Sequence, residues 1–133
     1  MEEVKINVKI KLSALWVAVM LCYLYGDFWG LYKPGLIEEI IAGEVAGMQI
    51  SQVFLLRSTI LMVIPSVMVF LSLALKAKAN RWANIILGIV YTVIMLITML
   101  MDAYAYYIFL GIAEVVLTVL IVWYAWKWPR QEA

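Results

Sequence analysis

The chain has 133 residues and a net charge of +1, with 67% hydrophobic and only 14% charged residues. Globular domains are about 45–50% apolar and about 25% charged, and a domain this small leaves much of its surface wet, so a soluble fold is excluded and lipid is the solvent the composition demands. Nothing here addresses nucleic acid; the absence of histidine removes the usual ligands of zinc, haem and iron and the commonest general base, and the lone Cys22 forms no internal disulfide or C-x-x-C pair.

Lys5, Lys9 and Lys11 precede the first apolar run, Leu12–Tyr32. A secretory signal also has a basic start, but its apolar stretch is about 7–15 residues. This run is longer, contains Trp16, Asp27 and Trp29, and is followed by no good small-x-small cleavage site. It is expected to be a retained transmembrane helix.

The link that follows, Lys33 to Gly47, has a pattern of its own. Pro34 suits a helix start, Glu38 and Glu39 suit its N-terminal end, and Gly43 can terminate it. Leu36, Ile37, Ile40 and Ile41 fall on one side. The spacing predicts a short amphipathic helix over 34–42 lying on the membrane surface; the alternative is an ordered loop.

The second span lies within Met48–Leu75, with its transmembrane part over about 50–75. The full stretch would run about 42 Å as a helix, more than the ~30 Å hydrocarbon core requires, so its first turn should emerge. Pro65 predicts a kink. Lys76 to Arg81 leads to a third span, Trp82–Met101, which carries no charge. A near-bare turn at Asp102 leads to a fourth, 103–126, whose only charge is Glu114. Apolar stretches of this length, without alternation, do not match barrel strands of about 10 residues. The expected fold is all-α: one domain over 1–133, a four-helix transmembrane bundle, up-down and antiparallel, with a short surface helix between the first two spans.

Basic residues set the orientation. Lys5, Lys9, Lys11, Lys76, Lys78, Arg81, Lys127 and Arg130 flank one set of span ends, and Lys33 alone flanks the other. By the positive-inside rule both termini and the second link are cytoplasmic, in a multi-pass protein of the cell membrane. Trp and Tyr residues near both sets of ends suit the interfacial belts.

Three ionisable residues lie within the spans: Asp27, Arg57 and Glu114. Each costs about 2.5–3.5 kcal/mol at a helix centre on insertion scales, so such groups usually face the bundle interior and pair. Counted along the helices, all three fall in the outer half of the bilayer. Helical side chains lean towards their own N-terminus, which makes Asp27 and Glu114 converge. Arg57 is the only basic residue within a span, and is expected to pair with Glu114. Steps of three or four give candidate inner faces: Ser13, Trp16, Met20, Tyr23, Asp27 and Gly30; Asn84, Gly88, Tyr91, Met95 and Thr98; Tyr107, Gly111, Glu114 and Thr118. Plain helix packing accounts for most of these. The candidate ligand-binding or ion-pair cluster is Asp27, Arg57, Glu114, Tyr23 and Tyr91. No catalytic residue, metal or cofactor is expected.

Several segments carry a resemblance: KLSALW at Lys11–Trp16, PGLIEEIIAGE at Pro34–Glu44, ANRWANII at Ala79–Ile86, YYIF at Tyr106–Phe109 and VWYAWKWP at Val122–Pro129. They resemble an uncharacterised family of small four-helix prokaryotic membrane proteins, defined only as a domain of unknown function. The resemblance spans nearly the whole chain; it implies the four-helix membrane fold and carries over no catalytic residue. A looser likeness, of architecture alone, is to DoxX-like membrane proteins, and a shared fold does not license a function.

Two functional classes follow. One is binding or transport of a small polar or amphipathic molecule through the outer-half polar cluster. The alternative is a structural or accessory membrane subunit, or a lipid-interacting bundle, whose charged cluster fixes helix packing. An enzyme ranks third, because no nucleophile motif is present. Membrane lipids are the expected partners, with a homo-oligomer or a membrane partner protein as further options. The orientation is directly testable. Reporters fused after Lys76–Arg81 or at the C-terminus should read as cytoplasmic, and reporters inserted between Glu38 and Gly47 as external; an external C-terminus in an intact protein contradicts the topology.

Overall fold

The computed structural model describes residues 4–45, 47–101 and 104–128. Its elements are α1 (Val8–Gly30), α2 (Leu36–Ile41), β1 (Glu44–Val45), β2 (Met48–Gln49), α3 (Gln52–Ala74), α4 (Ala77–Met101) and α5 (Ala105–Trp126). Four of these helices, α1, α3, α4 and α5, are long and apolar enough to cross a membrane. They pack as an antiparallel bundle in which α1 lies between α3 and α5, and α5 between α1 and α4. The remaining seam, between α3 and α4, is only lightly packed. Asp102, on which the expected third link centred, and Arg130 lie outside the described residues.

The helices overrun their apolar runs. α1 begins at Val8, where the Asn7 side chain accepts a hydrogen bond from the Lys9 backbone N–H at 2.8 Å. α4 begins at Ala77 rather than Trp82. Hydropathy marks where lipid contact ends, whereas backbone hydrogen bonding continues through Lys78 and Arg81. Arg81 then caps α5: its Nε donates to the Ala125 carbonyl at 3.0 Å and its Nη2 to the Trp126 carbonyl at 3.3 Å. A cation is favoured at that helix end, where carbonyls lack partners.

Between α1 and α3 the expected short helix forms, and Gly43 follows it with φ of +85°, a conformation that suits glycine. The chain then makes a two-stranded antiparallel ladder, Glu44 opposite Gln49 and Val45 opposite Met48. This hairpin was not expected. It takes up residues assigned to the emergent start of the second span, so α3 begins only at Gln52, with Ser51 as its cap accepting from the Phe54 N–H at 3.2 Å.

Lipid cannot hydrogen-bond the backbone or polar side chains, so the bundle satisfies them internally. Near the end of the bundle that holds Val8, Ala74, Ala77 and Trp126, here the basic end, Trp16, Ser72, Asn80 and Asn84 are fully buried. Trp16 Nε1 donates to Asn84 Oδ1 at 2.7 Å. Asn84 Nδ2 donates to Asn80 Oδ1 at 2.6 Å, and Asn80 Nδ2 to the Ser72 carbonyl at 2.7 Å. The network ties α1, α3 and α4 together. Alongside it, Ser13 donates to the Val69 carbonyl at 2.8 Å.

Helices α4 and α5 meet at Gly88. A Cβ there would come within 2.6 Å of the Val122 side chain, so glycine is what permits the close approach. The neighbouring Thr92 and Thr118 hydroxyls are 2.7 Å apart and hydrogen-bonded. Gly26 and Gly30, four apart on α1, also serve contacts within the chain. Cβ atoms at these positions would meet Leu110 and Tyr106, both of α5.

Pro65 is buried inside α3 and has no N–H to offer the carbonyl of Leu61, four residues earlier. That carbonyl accepts instead from the Tyr91 hydroxyl of α4 at 2.6 Å. One substitution in α3 is thus matched by one side chain across the lightly packed seam. Tyr91→Phe should therefore lower stability by about 1–3 kcal/mol, the cost of stranding a part-buried carbonyl in an apolar surrounding. In a Pro65→Ala background the restored N–H can take the Leu61 carbonyl, and the cost of Tyr91→Phe should fall by about 1 kcal/mol. A double-mutant cycle of unfolding in detergent measures this coupling; strictly additive costs contradict it.

Candidate functional site

The half of the bundle away from the basic end is built differently. A cavity of about 120 Å³ lies among α1, α3, α4 and α5. Tyr23, Gly26 and Asp27 face it from α1, Leu61 and Met62 from α3, Tyr91, Ile94, Met95 and Thr98 from α4, and Tyr107 and Glu114 from α5. Helical spacing explains the convergence: Tyr23 and Asp27 are one turn apart, as are Tyr91 and Met95, while Tyr107 and Glu114 are two turns apart. Gly26 adds space between two of these side chains.

Glu114 is 2% exposed. It sits nine residues into α5, roughly 14 Å along the axis from Ala105. Its Oε2 is buried with no hydrogen-bond partner, and so is the hydroxyl of Tyr23. Both belong to the wall of the same cavity. Asp27 is exposed, one turn from the end of α1, so the cavity reaches the bundle surface there. The aromatic rings are held in register: Trp16 meets Tyr91 edge-on with centroids 6.1 Å apart, and Tyr23 lies 6.4 Å from Tyr91. Tyr91 is fixed by its bond to the Leu61 carbonyl, and Thr98 by donating to the Met95 carbonyl at 2.9 Å.

Four of the five residues expected to cluster, Asp27, Glu114, Tyr23 and Tyr91, do share this cavity. Arg57 does not line it, and no ion pair joins Arg57 to Glu114. The reason is geometric. Arg57 lies a full turn beyond Leu61, nearer the start of α3, and a helical side chain leans towards its own N-terminus, here away from the cavity. No buried residue precedes Pro65 on α3, so nothing draws the guanidinium inward. Arg57 is exposed, in the manner of a long cationic side chain reaching for the membrane surface.

Other wall residues were on the page as inner-face positions without being singled out: Met95, Thr98 and Tyr107. Leu61 and Met62 carried no polar signal of their own. Their clue is Pro65, which leaves the Leu61 carbonyl, four residues earlier, without its helical N–H donor. In the basic-end network Asn80 and Ser72 were missed; the spacing of Asn80 and Asn84, one turn apart on α4, is the signal that finds Asn80. Among the described residues no group of three or more His, Cys, Asp or Glu is placed to hold a metal ion.

A family model described as a family of unknown function, DUF6326, matches residues 1–133. The chain belongs to this family. No curated protein and no solved structure matches it. Membership brings no assigned activity, and the four long apolar helices agree with the expected four-helix architecture, so the function must be argued from the cavity itself.

Proposed function

We propose that this multi-pass membrane protein binds a small polar or amphipathic molecule in the cavity around Glu114 and passes it to or across the membrane. In this reading the basic end is cytoplasmic, both termini included, the membrane is the cell membrane, and the cavity occupies the outer half. The observation that carries the reading is that the unpartnered Glu114 Oε2 and the unpartnered Tyr23 hydroxyl line one cavity, whereas among the other described residues only the Trp128 indole N–H is buried without a partner. A buried carboxylate without a partner is strongly unfavourable in an apolar medium. A polar group kept at that cost is a hallmark of membrane binding sites and pathways. A cavity large enough for a small molecule, and open at Asp27, gives such a group something to meet.

The alternative, a purely structural role for the polar residues, is favoured for the basic-end network, where every bond is made within the chain. It does not account for Glu114, which makes none through Oε2.

Reactivity at Thr98 separates the two. In a Cys22→Ser background, Thr98→Cys should be labelled in the folded protein by a small water-soluble thiol reagent. Adding Met62→Trp, a bulkier side chain on the cavity wall, should slow that labelling at least about tenfold. Labelling only on unfolding would mean a sealed packing defect and would remove the binding role.

A further inference from the structure

We infer that the ligand of this cavity is a small organic cation bearing at least one N–H donor, such as a protonated alkylamine. The inference rests on the binding role proposed above and adds the chemical class. Two carboxyl groups, Asp27 and Glu114, face the space, and no basic residue does. Arg57, the one cation within a helix of this half, stands outside it. An anion would meet two like charges at close range. A neutral molecule would leave Glu114 without a counter-charge. A cation neutralises the carboxyls, and an N–H group gives Glu114 Oε2 the donor it lacks.

The rest of the wall distinguishes an organic from an inorganic cation. Tyr23, Tyr91 and Tyr107 supply aromatic rings, whose faces attract cations and whose edges accept apolar contact. Met62, Met95, Leu61 and Ile94 add soft, apolar surface. Hard metal ions take about six or more oxygen ligands, and among the described residues no three acidic side chains converge to hold one. Size sets the upper limit. An apolar cavity of about 150 Å³ accommodates benzene, so the 120 Å³ here suits a molecule of about five or six non-hydrogen atoms.

The test uses two probes of the same shape, tert-butylammonium and tert-butanol, which differ in charge. Isothermal titration of the full chain in detergent should show the amine binding at least about tenfold more tightly than the alcohol, the least expected of a buried charge pair. Asp27→Asn should weaken the amine about two- to fivefold, the range of an exposed ion pair; because Asp27 is exposed, that variant keeps its packing. Glu114→Gln should weaken it further. Equal binding of amine and alcohol would overturn the cation assignment and leave a small-molecule site standing. Binding of neither, with Thr98→Cys still labelled in the folded state, would also overturn it, and would not by itself remove the binding role.

Discussion

A polar group buried in lipid has no water to fall back on, and that constraint organises this molecule. Every buried donor or acceptor must find its partner in the chain, in a ligand, or in a proton. The basic end meets most of the demand from within, leaving only the buried Trp128 indole N–H without a partner among its described residues. Trp16, Ser72, Asn80 and Asn84 come from three helices and close their hydrogen bonds on one another. Each such bond is worth about 0.5–1.5 kcal/mol net, and leaving one open costs more than making it gains. Such a network therefore fixes which helix faces meet. The other half of the bundle leaves the demand unmet at Glu114 and Tyr23.

Pro65 and Tyr91 join these two halves. The proline opens a backbone carbonyl in α3, and the tyrosine reaches across the sparse α3–α4 seam to claim it. The same ring forms part of the cavity wall and leans on Trp16, whose indole belongs to the basic-end network. The satisfied network thus holds the wall of the unsatisfied site, as a binding site on a rigid scaffold requires.

Much of this was legible in the residues. Long apolar runs give the four spans, because a helix is the only way a single apolar segment satisfies its backbone in lipid. Steps of three and four placed Tyr23, Asp27, Tyr91 and Glu114 on inner faces. What failed was the pairing of Arg57 with Glu114. Counting residues gives a height along a helix but not the rotation of one helix against another, nor how far a loosely packed helix stands off. A long cationic side chain near a helix end has an escape to the surface that a mid-helix glutamate does not. The ladder at Glu44–Gln49 was missed because two-residue strands leave no period to detect. α4 starts early because hydropathy reports lipid contact, not hydrogen bonding.

If Glu114 is retained for a ligand rather than for the fold, the empty protein should be better off without its carboxyl. Proteins commonly give up stability at functional sites. The most direct measurement is the thermal unfolding of purified Glu114→Leu beside the parent chain, in detergent and without added ligand. This account predicts a melting temperature equal to or above that of the parent. A fall of several degrees, with the variant still folded at the start, would show that the carboxyl supports the bundle and would contradict the claim that it waits for a partner.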